Sequence, residues 1–340
     1  MNNFKKIGLT ALAASLVSVS ANAGEMSVSG SASIGTAGYS GTNVTSGNEY
    51  SMGNQLTFSG SGELDNGLNV SLSFVLDQGD DKKTSDISAT APANATSPFD
   101  SHSVTISSDA MGSLQLIGEG GVSTASNIAK TAAGNLWDTF DQHTVAGITG
   151  GAIPDLSQTG TPGDDVFMYT SPELMDGLTA TLSWEPQNTG IDSGTGWGIN
   201  YTGMEGLTLQ YAKADVVGTT TLTSGDNTQM KATYAYGPVT VGYSVGDHDE
   251  ETTNGSGDIE MTSMAVTYTV SDELSITYGQ EESERGSASS QVAEISAISF
   301  AYTAGGMTLS GKMTEGENLN YTTTTAADLE AWTLGASFAF

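Results

Sequence analysis

The chain has 340 residues, with 9 Lys plus Arg against 39 Asp plus Glu and a formal charge of −30, which excludes a nucleic-acid protein held by backbone phosphates. Charged residues make up 14% of it against a usual share of about a quarter, while 43 residues are Gly. Neither a soluble enzyme nor a charged disordered chain has that balance; a Gly-rich, uncharged-polar β protein does.

Residues 1–23 read as a secretory leader. Lys5 and Lys6 precede the short apolar run Ile7 to Val19, and Ala21-Asn22-Ala23 places small residues where a signal peptidase reads, so cleavage is expected before Gly24. An N-terminal helix packed on the domain is the alternative. The expected mature chain, residues 24–340, keeps 7 basic and 39 acidic residues, with Arg285 its only arginine, a balance that favours cations over anions. It has no apolar run of about eighteen residues and no Cys, which excludes a helical span, disulfides, thiolate metal sites and thiol nucleophiles.

From Met26 onward apolar residues recur at every second position, the period of a strand with two unlike faces. Val28 to Ile34 is a weak first series. Leu56, Phe58, Gly60, Gly62 and Leu64 then alternate with Gln55, Thr57, Ser59, Ser61 and Glu63. After Asp65-Asn66-Gly67, the series Leu68, Val70, Leu72, Phe74 and Leu76 alternates with Asn69, Ser71 and Ser73, and Asn-Gly between such runs signals a hairpin. Weaker series lie at His102 to Ser108, Leu114 to Gly118, Val166 to Thr170, Leu178 to Trp184, Trp197 to Tyr201, Leu207 to Tyr211 and Met230 to Tyr236. Clear ones follow at Val239 to Val245, Met264 to Val270, Leu274 to Tyr278, Ile298 to Tyr302, Met307 to Met313 and Trp332 to Phe340.

Short turns at Asp65 to Gly67, Asp109 to Gly112, Pro172 to Gly177, Gly203 to Gly206, Gly237-Pro238, Ser271 to Glu273 and Ala304 to Gly306 alternate with longer polar stretches. The latter lie near residues 40–53, 77–101, 120–164, 185–195, 214–227, 246–258, 281–290 and 315–328. The expected fold is therefore all-β: a transmembrane antiparallel barrel of about 16 strands, short turns at one end and long loops at the other. In lipid a sheet must close on itself and turn its apolar face outward, and a barrel this wide encloses water. Aromatics sit at both strand ends. Tyr201, Tyr236, Tyr268, Tyr302 and Phe340 lie by the short turns, and Phe74, Trp184, Trp197, Tyr211, Tyr243 and Tyr278 toward the long loops, as in two interfacial belts.

With its leader, its alternation, its long third loop and the ending Leu334-Gly335-Ala336-Ser337-Phe338-Ala339-Phe340, the whole mature chain resembles the Gram-negative general diffusion porins, especially the α-proteobacterial type. The resemblance implies an outer-membrane homotrimer of passive, water-filled pores. It also implies that Phe340 and Phe338 form the signal read by the barrel assembly machinery, and that the third loop folds inward as the constriction. Residues 120–164 fit that loop, which is unusually long for a segment without structure of its own. Trp137 would anchor it, and Asp138 and Asp141 would place carboxylates at the narrowest point and select cations. An exposed surface loop is the alternative. Glu119 at its start, Lys130 within it, and Lys231 and Lys312 on inward parity complete the expected constriction. The basic cluster that the family sets on the opposite wall has no arginine ladder here.

Small outward positions Gly30, Ala32, Gly60 and Gly62 suit a trimer interface, although Gly in strands also marks bulges. Acidic runs around Asp80 and Asp81 and around Asp247 and Asp249 offer the hard oxygens that Ca²⁺ prefers, as a structural ion or a bridge to lipopolysaccharide phosphates in the surrounding outer-membrane lipid. EF-hand spacing fails, since Thr252 stands where a loop from Asp247 needs Gly. No catalytic motif is present and no other cofactor is expected, His102, His143 and His248 being far apart in sequence. The alternative function is a secreted or surface β-rich adhesin or carbohydrate-binding protein.

Overall fold

The computed structural model describes residues 26–42, 48–77, 99–119, 131–140, 144–145, 148–149, 165–186, 193–216, 225–251, 257–286, 290–324 and 327–340. The expected leader with its cleavage site, Asp80, Asp81, Lys130, Asp141 and His143 lie outside them.

Sixteen strands close into one antiparallel barrel. They are β1 Met26–Gly41, β2 Asn48–Glu63, β3 Asn69–Asp77, β4 Phe99–Ser108, β5 Gly112–Glu119, β6 Val166–Thr170, β7 Leu178–Glu185 and β8 Gly194–Met204. The second half is β9 Leu207–Val216, β10 Gly225–Tyr236, β11 Val239–Glu250, β12 Ile259–Thr269, β13 Leu274–Arg285, β14 Ala293–Ala304, β15 Met307–Glu317 and β16 Leu329–Ala339. Each strand pairs with its neighbours in sequence, and β16 returns to β1, so no strand edge is left open. Two 3₁₀ turns, η1 Leu136–Phe140 and η2 Leu319–Tyr321, lie between strands, and Thr144–Val145 pairs with Ile148–Thr149 as a small separate ladder.

The faces follow the expected parity. On β10 the outward Met230, Tyr234 and Tyr236 are exposed, while the inward Asn227 and Gln229 are buried. Outward aromatics pair across strands near the long-loop end: Phe58 stacks on Phe74 at 4.8 Å between centroids, and Trp197 meets Tyr211 at 5.2 Å. Such pairs add roughly 0.5–1.5 kcal/mol beyond the area they cover.

Strand ends differ from the sequence expectation in one consistent way. Pairing continues past the last outward apolar residue: β11 runs to Glu250, β13 to Arg285 and β15 to Glu317, while β2 and β10 begin early at Asn48 and Gly225. In these extensions the alternation inverts. On β13 and β14 the outward residues are Glu282, Glu284 and Glu294, and the inward ones are the buried Glu281, Ser283, Ala293 and Ile295. Above the hydrocarbon a strand can face water outward, so polarity there marks the end of the membrane and not the end of the sheet. Beneath these extensions lies an apolar cluster of Leu136, Trp137, Phe140, Met261, Ile295, Leu319, Tyr321 and Leu329 with several alanines.

Closure depends on glycines that seat aromatic rings. Gly30 and Phe340 exchange backbone hydrogen bonds of 2.7 and 3.0 Å, and a Cβ on Gly30 would strike the Phe340 ring. Gly38 stands in the same relation to Trp332, and Gly311 to Phe300. Gly30→Val is therefore expected to cost about 1–3 kcal/mol by overpacking. The measurement is the temperature at which the folded barrel converts to the unfolded form on a detergent gel; an unchanged temperature would refute the ring-seating role.

Candidate pore constriction

The segment between β5 and β6 builds itself locally before it meets the wall. Thr131 Oγ1 accepts from the backbone N–H of Asn135 at 2.8 Å and of Gly134 at 3.1 Å, while Asn135 Oδ1 accepts from Thr131 N–H at 2.9 Å. Gly134 and Asn135 have φ of +88° and +57°, values suited to Gly and tolerated by Asn. The resulting tight turn delivers the chain into η1.

Hydroxyls and one carboxylate of the far wall then catch this turn. Ala132 N–H donates to Ser244 Oγ on β11 and Ala133 N–H to Ser263 Oγ on β12, both at 2.9 Å. Leu136 N–H donates to Glu281 Oε2 on β13 at 2.8 Å. Glu281 Oε1 accepts from the hydroxyls of Thr131 and, at 3.3 Å, Ser263. Lys312 Nζ on β15 donates to Thr139 Oγ1 at 2.7 Å. Inward Gly279 leaves the space that the turn enters, since a Cβ there would stand 2.7 Å from Ala133 Cβ. The segment leaves β5 and lands on inward side chains of β11 to β15, about half-way round the ring of sixteen strands, so it spans the lumen.

Of the expected constriction residues, parity put Lys231 and Lys312 on the inward face, and Trp137 and Asp138 were expected in the loop. Trp137 is buried, as an anchor requires, and Asp138 in the same turn is exposed. Lys312 points inward as expected, yet it binds the loop instead of facing it across open water, and the Asp138 carboxylate acts on it electrostatically. Lys231 lies inward on β10, paired in register with Ser244. Glu119 is the last residue of β5.

Glu281 was missed. It opens the polar stretch 281–290 expected as a long loop, whereas it is fully buried on an extended strand. Its parity, odd like Gly279 and opposite to Ile276 and Tyr278, was the available signal. Asp247 and Asp249 lie on the outward face of β11, and among the described residues no group of three His, Cys, Asp or Glu could hold a metal ion. His102 covers Gly118 on β4–β5 and His248 bonds Asn227 at 2.7 Å on β10–β11, so these two histidines belong to separate structural contacts.

The wall away from the docked loop is a lattice of hydroxyls. Ser27, Ser59, Ser73 and Ser103 stand in register across β1 to β4, and Ser61, Ser71, Thr105 and Gln115 across β2 to β5. No Lys or Arg occurs in any of β1 to β5. The hydroxyls can hydrate a passing solute, and the charged residues of these strands, Glu49, Glu63, Asp77, Asp100 and Glu119, are all acidic.

The Gram-negative porin family model matches residues 8–340. Among solved structures, the anion-selective porin from Comamonas acidovorans aligns with a TM-score of 0.66 at 13% identity, covering 93% of this chain and 99% of that one. OmpF of Salmonella typhi, in complex with daunomycin, aligns at 0.64 and 12%, covering 95% and 99%. A mutant of the Rh. blastica porin aligns at 0.62 and 15%, covering 93% and 100%. At such identities the likeness to these three is one of fold, and no curated protein matches the sequence. A closed sixteen-strand barrel with a lumen-crossing loop and a family match over nearly the whole length lead to one conclusion: the chain belongs to the Gram-negative porin family.

Proposed function

We propose that the protein is a passive outer-membrane pore for small hydrophilic solutes and ions, with a preference for cations. The observation that carries the preference is the pairing of exposed Asp138 on the lumen-crossing loop with strands β1 to β5 that contain no basic residue. Asp141 and Glu119 add negative charge to the same segment, and Lys312 is engaged by Thr139. A carboxylate in a narrow passage raises the local concentration of cations and lowers that of anions.

Three copies of the chain form the working unit in this reading, exported through the leader and inserted by the assembly machinery that reads Phe338 and Phe340. Ala32, Gly60 and Gly62 offer the trimer contact; the face of Gly30 is taken by Phe340 of its own chain. The outward carboxylates of β11 to β16 face the lipopolysaccharide layer, where Ca²⁺ bridges to its phosphates are part of the proposal. The pore needs no covalent chemistry.

Purified protein in a planar lipid bilayer under a salt gradient tests the reading. Conductance steps grouped in threes with a cation-selective reversal potential are expected. Asp138→Asn should move that potential toward the non-selective value at unchanged trimer formation. Anion selectivity of the wild type would overturn the carboxylate reading, and absence of steps from folded protein would overturn the pore.

A further inference from the structure

We infer that the connection between β15 and β16 is a second inward element of the channel, and that Leu319 and Tyr321 are positioning residues for the constriction loop. This deepens the pore reading and rests on it for its functional consequence.

The segment was expected to be an external polar loop, residues 315–328. Instead η2 turns inward, and Leu319 and Tyr321 enter the same apolar cluster as Trp137 and Phe140 of η1. The two loops meet over Gly316. A Cβ there would stand 3.0 Å from Leu319 Cδ1 and 3.1 Å from Phe140 Cε2, so both side chains occupy the notch that the glycine leaves. Leu319 and Phe140 are both fully buried.

Tyr321 is fixed from several directions. Its hydroxyl bonds Ser283 Oγ at 2.9 Å, Arg285 lies 4.8 Å over its ring, and its carbonyl accepts from Gln291 N–H at 3.2 Å. Asn318 N–H donates to Asp328 Oδ1 at 3.1 Å and closes the base of the loop. The backbone pays for this geometry. Asn318, Asn320 and Tyr321 have φ of +51°, +57° and +57°, and a bulky Tyr in the left-handed region persists only where its surroundings over-determine it. Ser283, which holds Tyr321, is two residues from Glu281, which holds η1, on the same inward face of β13. One strand thus fastens both loops, and each loop supplies a wall of the other's socket.

A coupled pair of this kind sets where Asp138 stands. η1 is bonded to the wall at its first residue through Glu281 and at Thr139 through Lys312, whereas the buried ring of Phe140 shares the notch over Gly316 with Leu319. Truncating Leu319 removes that neighbour without touching any residue assigned to the loop or the lumen.

The test compares Leu319→Ala, the milder Tyr321→Phe, which loses only the hydroxyl bond to Ser283, and lipid-facing Leu334→Ala as control. Folding is checked by the heat-dependent shift on a detergent gel. Two readouts are taken: hydrogen exchange of the backbone amides of residues 131–140, and the reversal potential in bilayers. Leu319→Ala is expected to speed exchange in that segment about tenfold and to lower the cation-to-anion permeability ratio about twofold, with a smaller change in Tyr321→Phe and none in the control. Exchange and selectivity both unchanged in folded Leu319→Ala would overturn the inference while leaving the pore intact. If the wild type fails to conduct but exchange in 131–140 still responds to Leu319→Ala, the coupling of the loops stands and the pore reading falls.

Discussion

Glu281→Ala is expected to free the constriction loop from the barrel wall. The carboxylate accepts from Leu136 N–H and from the hydroxyls of Thr131 and Ser263 in a site that water does not reach. Alanine leaves those donors buried without their acceptor. Loss of the charged acceptor alone removes on the order of 3 kcal/mol of docking free energy, roughly a hundredfold in the docked population. The barrel itself should survive, because its ladder hydrogen bonds run independently of the loop. Single-channel records should then show larger and noisier open levels with weaker ion selectivity. Glu281→Gln should retain part of the latch, since its amide oxygen can accept from Leu136 N–H while its NH₂ donates to the Ser263 hydroxyl, whose second lone pair is open beside the bond from Ala133 N–H; Thr131 Oγ1, already accepting from Gly134 and Asn135, cannot take it. A quiet channel of wild-type conductance from Glu281→Ala would show that the loop is held by its bonds to Ser244, Ser263 and Lys312 and its apolar contacts, with Glu281 dispensable.

The reason this residue escaped the sequence reading also explains where that reading succeeded. Strands such as Val239 to Val245 and Leu274 to Tyr278 were legible because lipid imposes one rule on every outward position, and six of the seven short turns were legible because Gly punctuates them, Ser271 to Glu273 being the polar exception. The rule ends where the hydrocarbon ends. Beyond it Glu282 and Glu284 point out to water and Glu281 and Ser283 point into a dry interior, so the same acidic run holds solvated and buried residues in alternation. Parity could have separated them, but only once the strand was known to continue. Lys312 shows the complementary limit: periodicity gives the side of the sheet and is silent on what lies across it, here Thr139 of a loop distant in sequence. For Leu319 and Tyr321 the signal was two apolar residues, two apart, inside a polar stretch, too little to predict an inward turn.

No arginine ladder can be assembled from a mature sequence whose single arginine is Arg285, and a basic row can be installed in its place. Ser59, Ser73 and Ser103 stand in register on β2, β3 and β4, on the inward face, away from the strands that receive the loop. Ser59→Lys, Ser73→Lys and Ser103→Lys together would set three ammonium groups in water opposite Asp138. These serines are half-buried on the inward face, with Gln115 donating to Ser103 Oγ at 3.4 Å, so the longer side chains extend into the lumen. Residues in register on neighbouring strands stand about 5 Å apart, within the screening length of about 8 Å at physiological ionic strength, so the three charges act together on an ion that passes this wall. The triple variant is expected to abolish the cation preference or reverse its sign, to lower conductance moderately by narrowing the lumen, and to form trimers as the wild type does. The reversal potential under a salt gradient, measured for one, two and three lysines, should move in the same direction at each step. A potential that stays cationic through all three substitutions would mean that ions do not pass between Asp138 and this wall, and would move the conducting path to another part of the barrel.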